Sequence, residues 1–187
     1  MAQPGDTRSI PIIEAYNDYR PPSYVTGAVE KLLRTVPQKY LVGLESVVLT
    51  NRSSQPRRER RRRFSHGRRN IPLDKVLAFY SPASRRKRPY IEIYVDKVLA
   101  RPKWYSALPL FREIVIGAVL FHELGHHIHY TLRPEHRNEE PVANRWSEDL
   151  LGNFIRKRYW YLLPLLVLAA RIAKAIKDGR ETKRKLR

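Results

Sequence analysis

Apolar residues recur every three or four positions in four stretches of the chain, and this spacing predicts helices. The first runs from Tyr24 to Val36 and is closed by a proline. The second runs from about Pro109 to Thr131 and is apolar over most of its length, so we expect a long, mostly buried helix. The third runs from about Glu139 to Lys157, and the fourth from about Pro164 to Lys177, where proline suits a first turn.

Three short segments rich in β-branched and aromatic residues predict strands: Leu44–Leu49, Val76–Tyr80 and Tyr90–Val95. The sequence SPASRRKRP between the last two indicates a hairpin-like loop. We expect an α+β fold in which a small antiparallel sheet packs on two helices. The length of 187 residues predicts a single domain over residues 1–187, with a basic loop at 51–70 and a basic tail at 178–187.

The net charge of +19 indicates which classes of partner to expect, because positive charge attracts nucleic acid, anionic lipid or an acidic protein surface. Six of the seven residues from Arg57 to Arg63 are arginine, and RRKR follows at 85–88. We expect residues 57–69 to form a mobile surface loop, since a run of like charges repels itself. A possible nucleic-acid contact would use Arg57, Arg58, Arg60, Arg61, Arg62 and Arg63, with Phe64, His66 and Tyr80 as stacking surfaces.

The chain has no cysteine, which excludes a disulfide framework, a zinc ribbon and a thiol nucleophile. Histidine, aspartate and glutamate are therefore the strong metal ligands that remain. The first twenty residues lack the pattern of a secretion signal, and the apolar runs are shorter than the roughly 20 residues of a membrane span. We expect a cytoplasmic protein, and the apolar then basic C-terminal segment is more typical of a core helix than of a membrane-surface helix.

The sequence FHELGHHIHY at 121–130 contains an H-E-x-x-H motif. On a helix, His122 and His126 share one face and can bind one metal ion, while Glu123 lies beside them and can accept a proton from a metal-bound water. His127 points to another face. Such a string also arises by chance on exposed helices, but here it lies in an apolar helix, where an unpartnered polar cluster would be costly.

A third ligand is expected downstream, and the favoured residue is Glu140. On the next helix it lies four residues before Asn144, which could hydrogen-bond the free nitrogen of a ligand histidine. His129 is an alternative ligand. The other acidic and histidine residues of this region stay open as candidates: Glu135, His136, Glu139, Glu148 and Asp149.

Two motifs together, HELGH at 122–126 and E-x-x-A-N-R-W-S-x-x-L-L from Glu140 to Leu151, resemble the zinc metallopeptidases of the gluzincin type, and most of all the ImmA/IrrE family. The resemblance covers about residues 76–151 and includes Gly125 inside the motif. It implies a zincin-like fold with an active-site helix and a glutamate helix. It also implies that the strand YIEIYV forms the upper edge of the cleft and pairs with extended substrate.

The resemblance implies that His122, His126 and Glu140 bind Zn2+, that Glu123 is the general base and that Asn144 supports a ligand histidine. The expected function is hydrolysis of peptide bonds in a protein or peptide substrate. An oxyanion-stabilising residue is not identified by the motifs; Tyr130, His136 and Tyr161 are candidates. Two other interpretations compete, a nucleic-acid-binding protein with a structural metal site and a peripheral membrane protein, although a membrane partner is the less favoured.

Overall fold

The computed structural model describes residues 9–54, 63–66, 69–72, 76–84, 87–100, 108–132, 139–162 and 164. The strands within these ranges are β1 (Ile12–Ala15), β2 (Ser46–Thr50), β3 (Arg63–His66), β4 (Arg69–Pro72), β5 (Ala78–Ser81) and β6 (Tyr90–Tyr94). The helices are α1 (Tyr24–Thr35), α2 (Val95–Leu99), α3 (Pro109–Leu132) and α4 (Glu139–Tyr159), with 3₁₀ turns at Gln38–Tyr40, Arg52–Ser54 and Trp160–Leu162. The α+β class and the first three predicted helices are confirmed. The fourth predicted helix, from Pro164 to Lys177, and the basic tail lie almost wholly outside the described residues.

The main sheet is mixed, so the predicted antiparallel sheet is wrong in this respect. Its strand order is β1-β2-β6-β5; β1, β2 and β6 run parallel, and only β5 pairs antiparallel with β6. Parallel neighbours require a long crossover connection. Helix α1 lies in the connection between β1 and β2, and the connection from β2 to β6 contains the arginine-rich segment and β5.

Strand β6 is internal to the sheet, which corrects the expectation that YIEIYV forms the cleft edge. It pairs with β2 on one side and with β5 on the other, so its backbone groups are used in both ladders. Strand β5 is the last strand on that side of the sheet among the residues described.

The arginine-rich segment contains more regular structure than its charge suggests. Strands β3 and β4 pair antiparallel within the stretch that was expected to be a loop. Two residues separate them, which is the commonest hairpin spacing, and such backbone pairing does not require a buried face. Residues 55–62, which include five of the six clustered arginines, lie outside the described part of the chain.

Helix α3 packs against α1, β5 and β6. Its buried apolar residues include Leu120, Phe121, Leu124 and Ile128. They meet a sheet whose inner positions Val47, Leu49, Ile91 and Ile93 are almost completely buried. Each fully buried side chain of this size contributes roughly 1.5–3 kcal/mol. Burial of this face fixes α3 on the sheet and decides which of its polar residues lie in the interior.

The chain divides into two compact units, Met1–Leu151 and Gly152–Arg187, and the boundary falls within α4. Both sheets and the histidine motif lie in the first unit. The second unit begins with the last part of α4, where Phe154 and Tyr159 are buried and their ring centroids lie 6.0 Å apart. The single domain stays a prediction.

Candidate metal centre

The two motif histidines lie one turn apart on α3. Their ring centroids are 5.0 Å apart and the ring planes are inclined by 89°. Residues four apart on a helix share a face. His122 and His126 therefore present their imidazoles in one direction, as the sequence predicts.

Glu140 comes from the first turn of α4. The helix begins at Glu139, so Pro141 lies within the first turn, where its missing N–H has no partner within the helix in any case. The positive end of the helix also favours the two carboxylates that begin it. The sequence E-E-P thus starts the helix and places a glutamate at its tip.

The three side chains converge. His122 Nε2 lies 3.6 Å from Glu140 Oε2, and His126 Nε2 lies 3.4 Å from Glu140 Oε1. One ligand atom from each of the three residues lies within 4.8 Å of the others, so this group could hold a metal ion. The prediction that chose Glu140 over its alternatives selected the residue that the structure brings to the two histidines.

The group is open on one side. The side chain of His126 is 5% exposed, whereas those of His122 and Glu140 are 25% and 39% exposed. Among the residues described, no fourth histidine or carboxylate joins the group. A metal ion held here would have room for a ligand from solvent.

Gly125 allows the two helices to approach closely enough for this convergence. A Cβ atom at this position would lie 2.6 Å from the carbonyl oxygen and 2.8 Å from the Cα of Ala143, a buried residue of α4. Nearby, the Ser147 hydroxyl donates to the carbonyl of Ala118 over 3.2 Å. The glycine lies between the ligand histidines and Ala143 lies three residues after Glu140, so their contact sets the spacing of the ligand atoms.

Glu123 is buried beside the metal-binding group without belonging to it. The pKa of its carboxyl is raised to about 8, mainly because of burial; a hydrogen bond from the backbone of Tyr80 lowers the pKa, and the nearby charge of Glu140 raises it. Desolvation disfavours the charged carboxylate, and a donated hydrogen bond favours it. The Glu123 carboxyl of the metal-free protein therefore holds its proton more firmly than an exposed glutamate does, and its role as a general base stays a prediction.

His127 and Tyr80 form a buried pair that the motif analysis missed. His127 Nδ1 lies 3.2 Å from the Tyr80 hydroxyl, and its Nε2 lies 3.1 Å from the carbonyl oxygen of Val42. Burial lowers the pKa of His127 and raises the pKa of Tyr80 to about 12. Tyr80 is only 9% exposed, so it offers no stacking surface to a nucleic acid. The sequence contained one signal for this pair: His127 lies four residues after Glu123 and therefore shares its helix face.

The remaining candidates have other surroundings. His129 is 2% exposed, does not belong to the metal-binding group, and its ring lies 5.8 Å from that of Tyr130. Tyr130 donates to Glu139 Oε1 over 2.9 Å, which ties the end of α3 to the start of α4. Asn144 is exposed, and its support of a ligand histidine stays a prediction.

The other candidate residues do not lie at the group formed by His122, His126 and Glu140 within the described ranges. Glu148 and Asp149 are exposed on α4 and do not join the group. Glu135 and His136 lie outside the described residues, and Tyr161 belongs to the second unit.

Comparison with protein-family models, with curated proteins and with solved structures finds no match for this chain. The resemblance of the two motifs to gluzincins thus rests on the residues that carry it.

We predict that Gly125→Ala weakens metal binding by at least about tenfold and destabilises the fold by roughly 1–3 kcal/mol, since the added methyl group must push α3 and α4 apart. Calorimetric zinc titration and urea unfolding measure the two effects. Gly27→Ala in α1 is the matched control, because nothing lies within 4 Å of a Cβ there. Equal zinc affinity in both variants would show that the helix contact does not set the ligand spacing.

We also predict that the metal-free protein loses stability as the pH rises from about 4.5 to about 8. In that window the unfolded chain releases the Glu123 proton while the folded chain keeps it, so folding binds a proton and is disfavoured as protons become scarce. Glu123→Gln removes this dependence. Urea unfolding in the presence of a chelator should show a larger stability gain for Glu123→Gln near the upper end of the window than near the lower end. An equal gain at both ends would contradict a raised pKa.

Proposed function

We propose that the protein is a zinc-dependent peptidase. The observation that carries the proposal is the convergence of His122, His126 and Glu140 beside a buried carboxylate, Glu123. Two helices supply the four residues in the H-E-x-x-H plus glutamate arrangement of the gluzincins. The fold around them, α+β with a sheet against the motif helix, is compatible with a zincin-like enzyme.

Zinc is the ion that suits these ligands best. Two imidazole nitrogens and one carboxylate oxygen are a common zinc donor set, whereas magnesium and calcium prefer oxygen ligands alone. When bound, zinc supplies Lewis acidity that lowers the pKa of a coordinated water to about 7 and polarises a substrate carbonyl.

Glu123 would act as the general base. Its carboxylate takes a proton from the attacking water and gives it to the amine that leaves, so Glu123 ends the turnover in the protonation state in which it began. Its burial keeps bulk water from competing for this proton, and its raised pKa lies near neutral pH, where proton transfer in both directions is efficient. A cation held by the neighbouring ligands would lower that pKa and favour the base form.

The open side of the group favours catalysis over a purely structural role. Structural zinc sites are closed by four protein ligands, and catalytic sites keep one position for water or substrate. Here three ligands converge within the part of the chain that is described, and two of them are partly exposed. This observation favours an enzyme over a nucleic-acid-binding protein with a structural metal.

An extended substrate would pair with the open edge of β5. The Tyr94 amide donates to the carbonyl of Leu77, and the bonded pairs of an antiparallel ladder alternate. Ala78 and Tyr80 therefore direct their backbone groups away from β6, towards the side on which Tyr80 meets Glu123. A peptide added along this edge would pair with Ala78 and with the Tyr80 carbonyl, since the Tyr80 N–H contacts Glu123, and it would pass the metal-binding group.

The competing functions rest on the sequence. Contact with nucleic acid through the arginines at 57–63 remains a proposal, since most of these residues lie outside the described ranges. None of the helices described combines the length and apolar character needed to cross a membrane. The geometry of the metal-binding group therefore supports a peptidase better than these observations support the other two functions.

The proposal predicts about one zinc per chain and hydrolysis that depends on it. His122→Ala and Glu140→Ala should lose zinc in elemental analysis, because each removes one of three ligands. His129→Ala is the matched control, a buried histidine of the same helix outside the group, and it should keep zinc. Loss of zinc in His129→Ala with full zinc in Glu140→Ala would instead make His129 the third ligand.

The test of mechanism is Glu123→Gln, which should keep zinc and fold while hydrolysis of casein or a peptide library falls by at least about a hundredfold. The amide has nearly the same shape but cannot accept the proton. Wild type and variant are compared at equal zinc content. Equal activity would show that Glu123 is not the base, and a zinc-loaded wild type without hydrolysis would refute the peptidase.

A further inference from the structure

His127 is held by two hydrogen bonds that define its tautomer. The Val42 carbonyl only accepts, so Nε2 of His127 carries the proton and donates over 3.1 Å. In the neutral ring Nδ1 then accepts, and the Tyr80 hydroxyl donates to it over 3.2 Å. The ring is fully buried, so neither bond is exchanged for water. His127 thus ties α3 both to the segment before β2 and to β5.

Tyr80 meets α3 at a second point through its backbone. Its N–H points away from the ladder with β6 and forms a hydrogen bond to the Glu123 carboxyl. Glu123 and His127 are four residues apart on one face of α3, which separates them by about 6 Å along the helix axis. A tyrosine side chain has about this length from its backbone to its hydroxyl. One residue of β5 therefore lies along the helix and contacts it at both ends.

These two contacts depend on each other. In an antiparallel edge strand the outward backbone groups alternate between residues, so a slip of one residue would remove the N–H from Glu123. An edge strand is paired on one side only, and its position needs another restraint. The hydroxyl bond to His127 supplies a restraint at the residue whose N–H must be placed.

We propose that Tyr80 is a positioning residue for Glu123: its hydroxyl, bound to His127, fixes β5 against α3 so that its own N–H holds the carboxylate. This role rests on the proposed function, since it concerns the general base of that reaction. Held in this way, the Glu123 carboxylate keeps one position relative to β5. His127 takes part as the anchor, not as a metal ligand.

The direct test is hydrogen exchange at single amides of the zinc-loaded full chain, measured by NMR. In Tyr80→Phe, the amide of residue 80 should exchange about five- to tenfold faster than in wild type, while the ladder amides of Phe79 and Ser81 keep their rates. Glu123→Ala should also accelerate exchange of the residue 80 amide, because it removes the carboxylate that accepts from this N–H. Combining the two substitutions should add little, because both break one coupled contact.

Tyr90→Phe is the matched control. It also removes a tyrosine hydroxyl, from β6 next to β5, and should leave the residue 80 amide unchanged. An unchanged rate in Tyr80→Phe would overturn the proposal. Equal acceleration at residues 79, 80 and 81 would also overturn it, since the hydroxyl would then stabilise the whole strand without positioning the N–H.

The second part of the test measures the kinetics of hydrolysis. At equal zinc content, Tyr80→Phe should lower kcat about five- to tenfold and leave KM nearly unchanged, because the base is misplaced while substrate binding is kept. A changed KM with an unchanged kcat would assign Tyr80 to substrate binding and overturn the positioning role. If the wild type hydrolyses nothing, the peptidase fails, and the exchange rates alone decide whether Tyr80 holds Glu123.

Discussion

The site depends on one steric constraint, the contact between Gly125 of α3 and Ala143 of α4. No side chain larger than hydrogen fits at residue 125 while the Ala143 carbonyl stays where it is. Because the ligand histidines lie on either side of this glycine, and Glu140 lies about one turn before Ala143, the helix distance at this point becomes the distance between ligand atoms. A small residue in the motif is thus required by packing, and the metal-binding geometry follows from that packing.

The other faces of α3 explain how polar residues are tolerated in a buried helix. Leaving such groups without partners would cost several kcal/mol each. Glu123 and His127 both meet Tyr80, and His127 also meets Val42. The sheet side of the helix thereby contacts Glu123, and the α4 side supplies Glu140 to the two histidines. In the proposed function these are the sides that orient the base and complete the metal site.

The sequence predicted what depends on local pattern. Helical spacing located α1, α3 and α4 nearly to their ends. The choice of Glu140 also depended on local pattern, because a glutamate in the first turn of α4 reaches the histidines once that helix packs beside α3. The sheet was predicted less well, because strand direction depends on pairing between segments far apart in the chain: β2 pairs parallel with β6, and the four-residue β1 joins β2 in the same direction. The contacts of Tyr80 were missed for a similar reason: they join β5 to residues more than forty positions away.

In the proposed function, His122, His126 and Glu140 hold a zinc ion and leave one position for an exogenous ligand. Zinc K-edge X-ray absorption on the stoichiometric protein tests it most directly, before and after addition of a hydroxamate. The account predicts two imidazole nitrogens and additional oxygen ligands at about 2.0–2.2 Å, with a change in the oxygen shell when the hydroxamate binds. A closed site of four protein ligands that does not respond to hydroxamate would contradict it.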